Sequence, residues 1–587
     1  MKREWKAQND SGAVHALGNG RIIVYEVGPQ ITHIVGYPYS ADPSGEITIE
    51  GITHCQTVRR PGTDIYDHLL DDGTVITDVT DCRETAFLRR IRGEHEITMV
   101  FHTGHGFVAE QKEDALFLSS PDGTMFHIYH TDYVVKQYLA VSGNVTVTQL
   151  DEKNWAFRIH GNGCLYIAND METMERIKKE SFEAVIERTA SYWQEFLKRG
   201  KKLPGRLGEL CESVAILIKC QQGEDGAVTA GYPYRLAYVR DQYGVMRGLL
   251  KMGYVKEAEM ILQNYKLIFD KFGTIHNAHS IGEYGVFHIH ENDKAEITGY
   301  LSVVPFDIYA YNQDPAFLEE MLPLVRWAIE QQIGELKNNM VPFNGDETYI
   351  AGGFLPRSAM YDGSAEATML LHEGIRRYQE YTGDMQYQQV YEAISETYKE
   401  NFVIDGRFVT NNPKRLKPEE YPAGRHGVCE NCTAILGDLY KVAGERYVCK
   451  KCVDTHKLPP NEHRIYELAS SKLSQAYVSS NLIDAAMMYG FLDEMVEMYH
   501  KTKEMPSGCP GGECVGYDYG MLLYALVKYN HPAAREFCEL AVSVVDECDC
   551  WCEYYKNGVP YNTRFRPWES AINMEAIISF YEKNPGK

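Results

Sequence analysis

A chain of 587 residues exceeds what one hydrophobic core usually organises, so two large domains are expected, and a hydrophobic share of 44% suits packed globular domains. Its 82 acidic residues outnumber 59 basic ones, and the resulting net charge of −23 opposes nucleic acid or an anionic membrane surface as partner and favours a neutral one. The charged start Met1-Lys2-Arg3-Glu4 leads into no apolar segment of signal-peptide length, and nowhere do about 20 apolar residues run together, so neither secretion nor membrane spanning is expected. The 15 Cys are an odd number, several in Cys-x-x-Cys or Cys-x-Cys spacing, which favours reduced thiols or metal ligation over a disulfide framework and places the chain in the cytosol. The 41 Tyr and 6 Trp supply flat rings that suit the C–H faces of sugars, although tyrosine also serves as ordinary core.

From Gly18 to about Asn169 the chain reads as short alternating runs, among them Arg21–Val27, Ile31–Val35, Glu96–Phe101, Asp132–Tyr138 and Trp155–Ile159, separated by Gly, Asp and Pro. Period-two runs with polar turns predict an antiparallel β-sandwich over residues 1–170. Glu172 to Lys198 switches to a helical period carrying Phe182, Val185, Ile186 and Trp193, and predicts a linker helix within 171–204. After Pro204 helical stretches recur in pairs, near 206–221, 239–252, 255–272, 296–312, 315–333, 363–382, 385–402, 470–490, 491–504, 516–529, 532–547 and 568–583. Twelve helices in six hairpins, joined by alternately short and long loops, suit a toroid of inner and outer helices whose long loops build a site at one end. A helical solenoid is the competing layout, but no fixed repeat is present.

Four clusters carry chemistry. Gly226-Ala-Val-Thr-Ala-Gly-Tyr-Pro-Tyr-Arg-Leu-Ala-Tyr238-Val-Arg240-Asp241 delivers an Arg-Asp pair to a helix start, where a carboxylate can accept two sugar hydroxyls while the guanidinium holds its geometry, or can simply form a salt bridge. His288-Ile-His290-Glu-Asn292-Asp293 places polar groups before another helix, with two histidines but no clear third metal ligand. Asn344-Gly-Asp346-Glu347-Thr-Tyr349 opens a long loop, and Asp362-Gly-Ser-Ala-Glu366 follows it. Trp551-Cys-Glu553-Tyr-Tyr-Lys-Asn-Gly-Val-Pro560 is followed by Arg566-Pro-Trp568-Glu-Ser570-Ala571.

In this order across about 205–580, these segments resemble the helical domain of family 15 glucoamylases and their trehalase and glucodextranase relatives. The resemblance implies a multidomain β + α architecture: the N-terminal antiparallel β-sandwich, the linker helix, and a C-terminal (α/α)6 toroid over 205–587. It further implies that Arg240 and Asp241 grip the terminal sugar, with Tyr238, Asn292, Asp293, Asp346 and Trp568 around it. Glu347 would be the general acid, with Asp346 and Glu366 as rivals, and Glu553 the general base. Two departures stand out: Asp346 precedes the acid where the family has Trp, and Glu569-Ser570 alters the Trp-Ser order. A protonated carboxyl near neutral pH and an ionised one about 6.5 to 9.5 Å away would make an inverting pair with room for a water.

Cys429-x2-Cys432 and Cys449-x2-Cys452 stand 16 residues apart, a spacing that presents four thiolates tetrahedrally to Zn²⁺ and predicts a zinc-ribbon insertion over 425–456. Four thiolates leave no position for water, so the zinc is expected to be structural, stapling an insertion or forming a contact between subunits. No organic cofactor is implied. Cys548, Cys550 and Cys552 beside Glu553 suit either a second metal or buried thiols. The function expected is exo-acting, inverting hydrolysis of α-glucosides, on a neutral oligosaccharide and without nucleic acid or membrane. The alternatives are an inverting phosphorylase, which would need no Glu553, and a carbohydrate-binding or regulatory protein that has lost turnover.

Overall fold

The computed structural model describes all residues except 1, 7–13, 37–42, 113–114, 120–124, 127–128, 131–135, 233, 235, 283–286, 289–292, 343–361, 418–424, 429–434, 443–445, 450–451, 453–464, 508–510 and 586–587. For 2–6, 125–126, 129–130, 287–288, 425–428, 435–442, 446–447 and 562 it describes the backbone alone.

The alternating runs of the N-terminal part are strands, paired antiparallel throughout. They form one hydrogen-bonded path rather than two separate sheets, because two long strands, Lys136–Gln149 and Asn154–Ala168, run through both layers. Residues 154–160 pair with Glu96–Thr103 and residues 163–168 with Ala86–Arg92, and the register shifts between Gly143 and Val145 where the pair bends. The folded-over sheet closes on a core in which Leu17, Ile22 and Val24 from one layer meet Tyr66, Ile76, Phe87 and Ile91 from the other. The opposite faces of the same strands, Val14, Ala16, Ile23 and Tyr25, pack on the helices. Alternation therefore buries both faces of Val14–Gly18 and Ile22–Val27, one in each core.

The linker is two helices rather than one. Helix α1 (Met171–Ile177) starts at Asp170, which accepts from the Thr173 N–H, and α2 (Phe182–Lys198) starts afresh at Ser181, which accepts from Ala184 N–H. Twelve further helices follow among the described residues: α3 (Gly205–Cys220), α4 (Val239–Met252), α5 (Val255–Phe272), α6 (Ile297–Asn312), α7 (Pro315–Gly334), α8 (Ala365–Thr382), α9 (Gln388–Phe402), α10 (Ala469–Val478), α11 (Ala485–Thr502), α12 (Tyr517–Lys528), α13 (Ala534–Ser543) and α14 (Pro567–Lys583). Helices α4, α6, α8, α10, α12 and α14 each touch the next, and α14 returns to α4, so they close an inner ring. The other six alternate with them on the outside. Helices α4 and α14 are buried almost all round.

The stretch expected as one helix over 470–490 ends at Val478. Ser479 takes the left-handed conformation at φ 68°, and Asp484 caps α11 by accepting from Met487 N–H. Within the expected ribbon, Arg425–Val428, Ile435–Val442 and Arg446–Cys449 form a three-stranded antiparallel sheet with Cys449 opposite Leu439. Cys449 and Cys452 are buried, whereas Cys429 and Cys432 lie outside the described residues.

Candidate active site

The inner helices run in one direction, so their first turns gather at one end of the ring and direct six N-terminal dipoles toward it. Arg240 and Asp241 sit in the first turn of α4, anchored where Val239 N–H donates to Asn277 C=O at 3.0 Å. Arg240 Nη1 donates to both carboxylate oxygens of Glu296, at 3.1 and 3.2 Å, immediately before α6. Glu366, in the first turn of α8, accepts from the Tyr300 hydroxyl of α6.

Glu553 reaches the same end by a different route. Its N–H donates to Thr563 C=O at 2.9 Å and its C=O accepts from Gly516 N–H at 2.8 Å, so the carboxylate is carried between the starts of α12 and α14. Thr563 and Phe565 hold positive φ, at 47° and 60°, in the turn that delivers Arg566 to the beginning of α14. Backbone strain of this kind persists only where its surroundings enforce it.

Arg566 joins the acidic groups. Its Nε donates to Glu569 at 3.1 and 3.2 Å, its Nη2 donates to Asp241 Oδ2 at 3.4 Å, and the same nitrogen stands 3.9 Å from Glu553 Oε1. The guanidinium also lies 5.1 Å from the centre of the Tyr234 ring. Three buried atoms are left with nothing to bond among the described residues: Arg566 Nη1, Glu553 Oε2 and Glu366 Oε2. An unused donor near one unused acceptor, with a second acceptor at the start of α8, is a pattern a polyhydroxyl ligand would satisfy.

The electrostatics follow from burial. Desolvation pushes the Asp241 carboxyl up to about 6, against the pull of Arg566 and Arg240 and helped by Glu553 and Glu296. Desolvation raises Glu569 to about 8 despite Arg566. Glu366 also rises to about 8 by desolvation, with Tyr300 opposing and Glu296 adding, so its carboxyl is protonated at neutral pH. Burial and then Glu553 raise the Tyr554 hydroxyl.

Of the residues expected at the site, Arg240, Asp241 and Glu553 are brought together. Trp568 is fully buried against Tyr517, with ring centres 4.7 Å apart, and so packs the start of α14. Asp293 accepts from Asn277 N–H at 2.8 Å and contacts His276 Nδ1 at 2.6 Å, which ties down the loop between α5 and α6. Tyr238 is half-buried and pairs with Ala278 in a short strand. Asn292, Asp346 and Glu347 lie outside the described residues. Sequence reading passed over Glu296, Arg566 and Glu569; Arg566 and Glu569 stand in the Arg-Pro-Trp-Glu-Ser run already singled out, and charged residues at an otherwise apolar helix start were the available signal. Among the described residues Cys548, Cys550 and Cys552 do not converge as a metal-ligand group. Cys550 Sγ instead donates to Asp546 Oδ1 at 3.2 Å, and burial holds the thiols of Cys550 and Cys552 well above the usual range.

Searches by sequence leave the chain alone: no family model matches it, and no curated protein does. Solved structures do match. A bacterial glucoamylase complexed with acarbose superposes at a TM-score of 0.63 with 12% identity, covering 99% of this chain and 98% of that one. A GH92 α-mannosidase from Bacteroides thetaiotaomicron in complex with mannoimidazole superposes at 0.53 with 9% identity, covering 96% and 80%. The chain has the fold of glucoamylase-like glycoside hydrolases. Among the described residues no helix is long and apolar enough to cross a membrane.

Proposed function

We propose that this protein is an inverting glycoside hydrolase that releases glucose from α-glucosides or α-gluco-oligosaccharides in the cytosol. The observation that carries the reading is Glu553 Oε2, buried and without a partner among the described residues, close to Asp241 and Arg566 at the end of the ring where six helix N-termini meet. Asp241 and Arg240 would seat the terminal sugar through charge-assisted hydrogen bonds. Glu553 takes a proton from water as the water oxygen bonds to the anomeric carbon. The glycosidic C–O bond breaks, and the leaving oxygen receives a proton from Glu347, inverting the anomer. Glu366 is the alternative donor, favoured by a carboxyl already held at about 8.

Zn²⁺ bound by Cys429, Cys432, Cys449 and Cys452 would supply structural cross-linking of the insertion. The donor set fits, with Cys449 closing an antiparallel strand and Cys452 buried just beyond it.

The test is incubation with maltose, isomaltose, kojibiose, nigerose, trehalose and longer glucans, with and without phosphate, following the product anomer by NMR. β-Glucose released without phosphate supports the hydrolase, and a sugar phosphate formed only with phosphate points to phosphorolysis. Activity surviving both Glu553→Gln and Glu347→Gln removes the assignment of roles, and loss in Glu366→Gln with retention in Glu347→Gln transfers the donor's role to Glu366.

A further inference from the structure

A second polar cluster lies far from the ring's site, inside the apolar core of the sandwich. His15, Glu26, His68 and Asp78 are fully buried. They stand on four strands, Val14–Gly18, Ile22–Val27, Tyr66–Leu70 and Val75–Thr80, and strand alternation aims each into the space where Leu17, Val24, Tyr66 and Ile76 form the core. The first two strands belong to the layer that packs on the helices and the last two to the opposite layer. Four such residues at one level of a hydrophobic core are costly unless something compensates them.

Arg89 supplies part of the compensation. Its Nε donates to Asp78 Oδ1 at 2.8 Å, and its Nη2 donates to Asp78 Oδ2 at 2.7 Å and to Glu26 Oε1 at 3.0 Å. Glu26 Oε2 is left facing two imidazole nitrogens, His15 Nε2 at 2.9 Å and His68 Nε2 at 3.5 Å, yet it accepts no hydrogen bond from the described residues. Atoms that close without hydrogen-bond alignment point toward a common centre rather than at one another. Ligand atoms of His15, Glu26 and His68 all lie within 4.8 Å of each other. Tetrahedral metal bonds of about 2.0–2.1 Å place neighbouring ligands roughly 3.3 Å apart, in the middle of these separations.

We propose that His15, Glu26 and His68 form a structural site for a divalent cation of borderline softness, Zn²⁺ above all, clasping the two layers of the sandwich together. The outer contacts suit the role: Thr57 Oγ1 lies 3.0 Å from His68 Nδ1 and Asp78 Oδ2 lies 3.0 Å from His68 Nε2, which orient that ring, while Arg89 holds Glu26 Oε1 and both oxygens of Asp78. All three ligands are fully buried in the sandwich core, out of reach of a substrate.

The experiment uses the full chain purified without chelators, its metal content measured by mass spectrometry and its first coordination shell by X-ray absorption. The same measurements follow on Cys449→Ser/Cys452→Ser, which lacks half the thiolates of the ribbon. Expected are a mixed sulfur and nitrogen/oxygen shell in the full chain, and about one metal ion per chain with a nitrogen/oxygen shell in the cysteine variant. His68→Ala in that background should drop the metal to under about a tenth per chain and lower Tm. A sulfur-only shell in the full chain, or a folded cysteine variant that takes up no Zn²⁺ at equimolar metal, overturns the proposal and leaves a protonated imidazole as the balancing cation. If either variant fails to fold, the shell of the full chain decides alone.

Discussion

The two ends of the helical ring each bury an arginine among carboxylates and carbonyls, and the two arginines end differently. At the C-terminal end Arg247 uses every nitrogen: Nε and Nη2 donate to Glu575 at 3.1 and 2.6 Å, and Nη1 donates to the Tyr243 hydroxyl at 3.2 Å and to Tyr477 C=O. Arg377 and Lys528 beside it finish on Val303, Val478 and Ala476 carbonyls, where cations offset the negative ends of the helix dipoles. At the N-terminal end Arg566 keeps one nitrogen without a partner among the described residues, and Glu553 beside it and Glu366 at the start of α8 each keep a carboxylate oxygen in the same condition. A saturated network holds the ring together, whereas an unsaturated one of similar composition is a place prepared for something else.

The comparison breaks first at Glu553. Glu553→Gln should lower kcat by about 10²- to 10⁴-fold, as expected for loss of a general base, while shifting the unfolding free energy little. A large loss of stability in urea unfolding, with turnover kept, would make this end structural as well. Next in size, Arg247→Met strands Glu575 in the interior and should cost about 3–5 kcal/mol in urea unfolding, with kcat/KM per folded molecule unchanged. Asp241→Asn, which removes the charge but keeps the shape, should raise KM by about tenfold or more through loss of a charge-assisted hydrogen bond worth roughly 1.5–3 kcal/mol. The smallest effect is one of slope. Glu366 is held at about 8 in the folded chain, so the native state keeps a proton that the unfolded chain releases near its ordinary value of 4.5. The stability this contributes is complete below the ordinary value and lost as pH rises through about 8. Between those values stability should fall by up to about 1.4 kcal/mol per pH unit, and Glu366→Gln should flatten the decline in urea titrations.

Much of the architecture was legible because helical periodicity is a local signal. The start of α4 at Val239 and the end of α5 at Phe272 stand where apolar spacing and Gly273 place them. The end of α10 was missed because the apolar pattern continues past Val478 while the backbone turns at Ser479, a conformation that serine rarely adopts and does not announce. The sandwich's single path was hidden for a different reason: two strands that traverse both layers look, residue by residue, like any others. At the site, motif order brought Arg240, Asp241 and Glu553 into view. Arg566 and Asp241 are separated by 325 positions, and nothing local in either segment announces that they touch. The histidine cluster was equally silent, since His15 and His68 are 53 residues apart in alternating runs where any inward residue looks like core.

Closure of the ring by α14 against α4 has a kinetic consequence. Asp241 comes from the first of the six hairpins and Arg566 from the last, so the pocket cannot assemble hairpin by hairpin as the polypeptide emerges; its decisive pairing must span most of the helical region. Loop-closure entropy of that size makes the joining step slow, and until it occurs the apolar flanks of α4 and α12 stand open to aggregation. Refolding should therefore gain helical signal well before it gains a working pocket, and the delay between the two is set by the insertion of one helix.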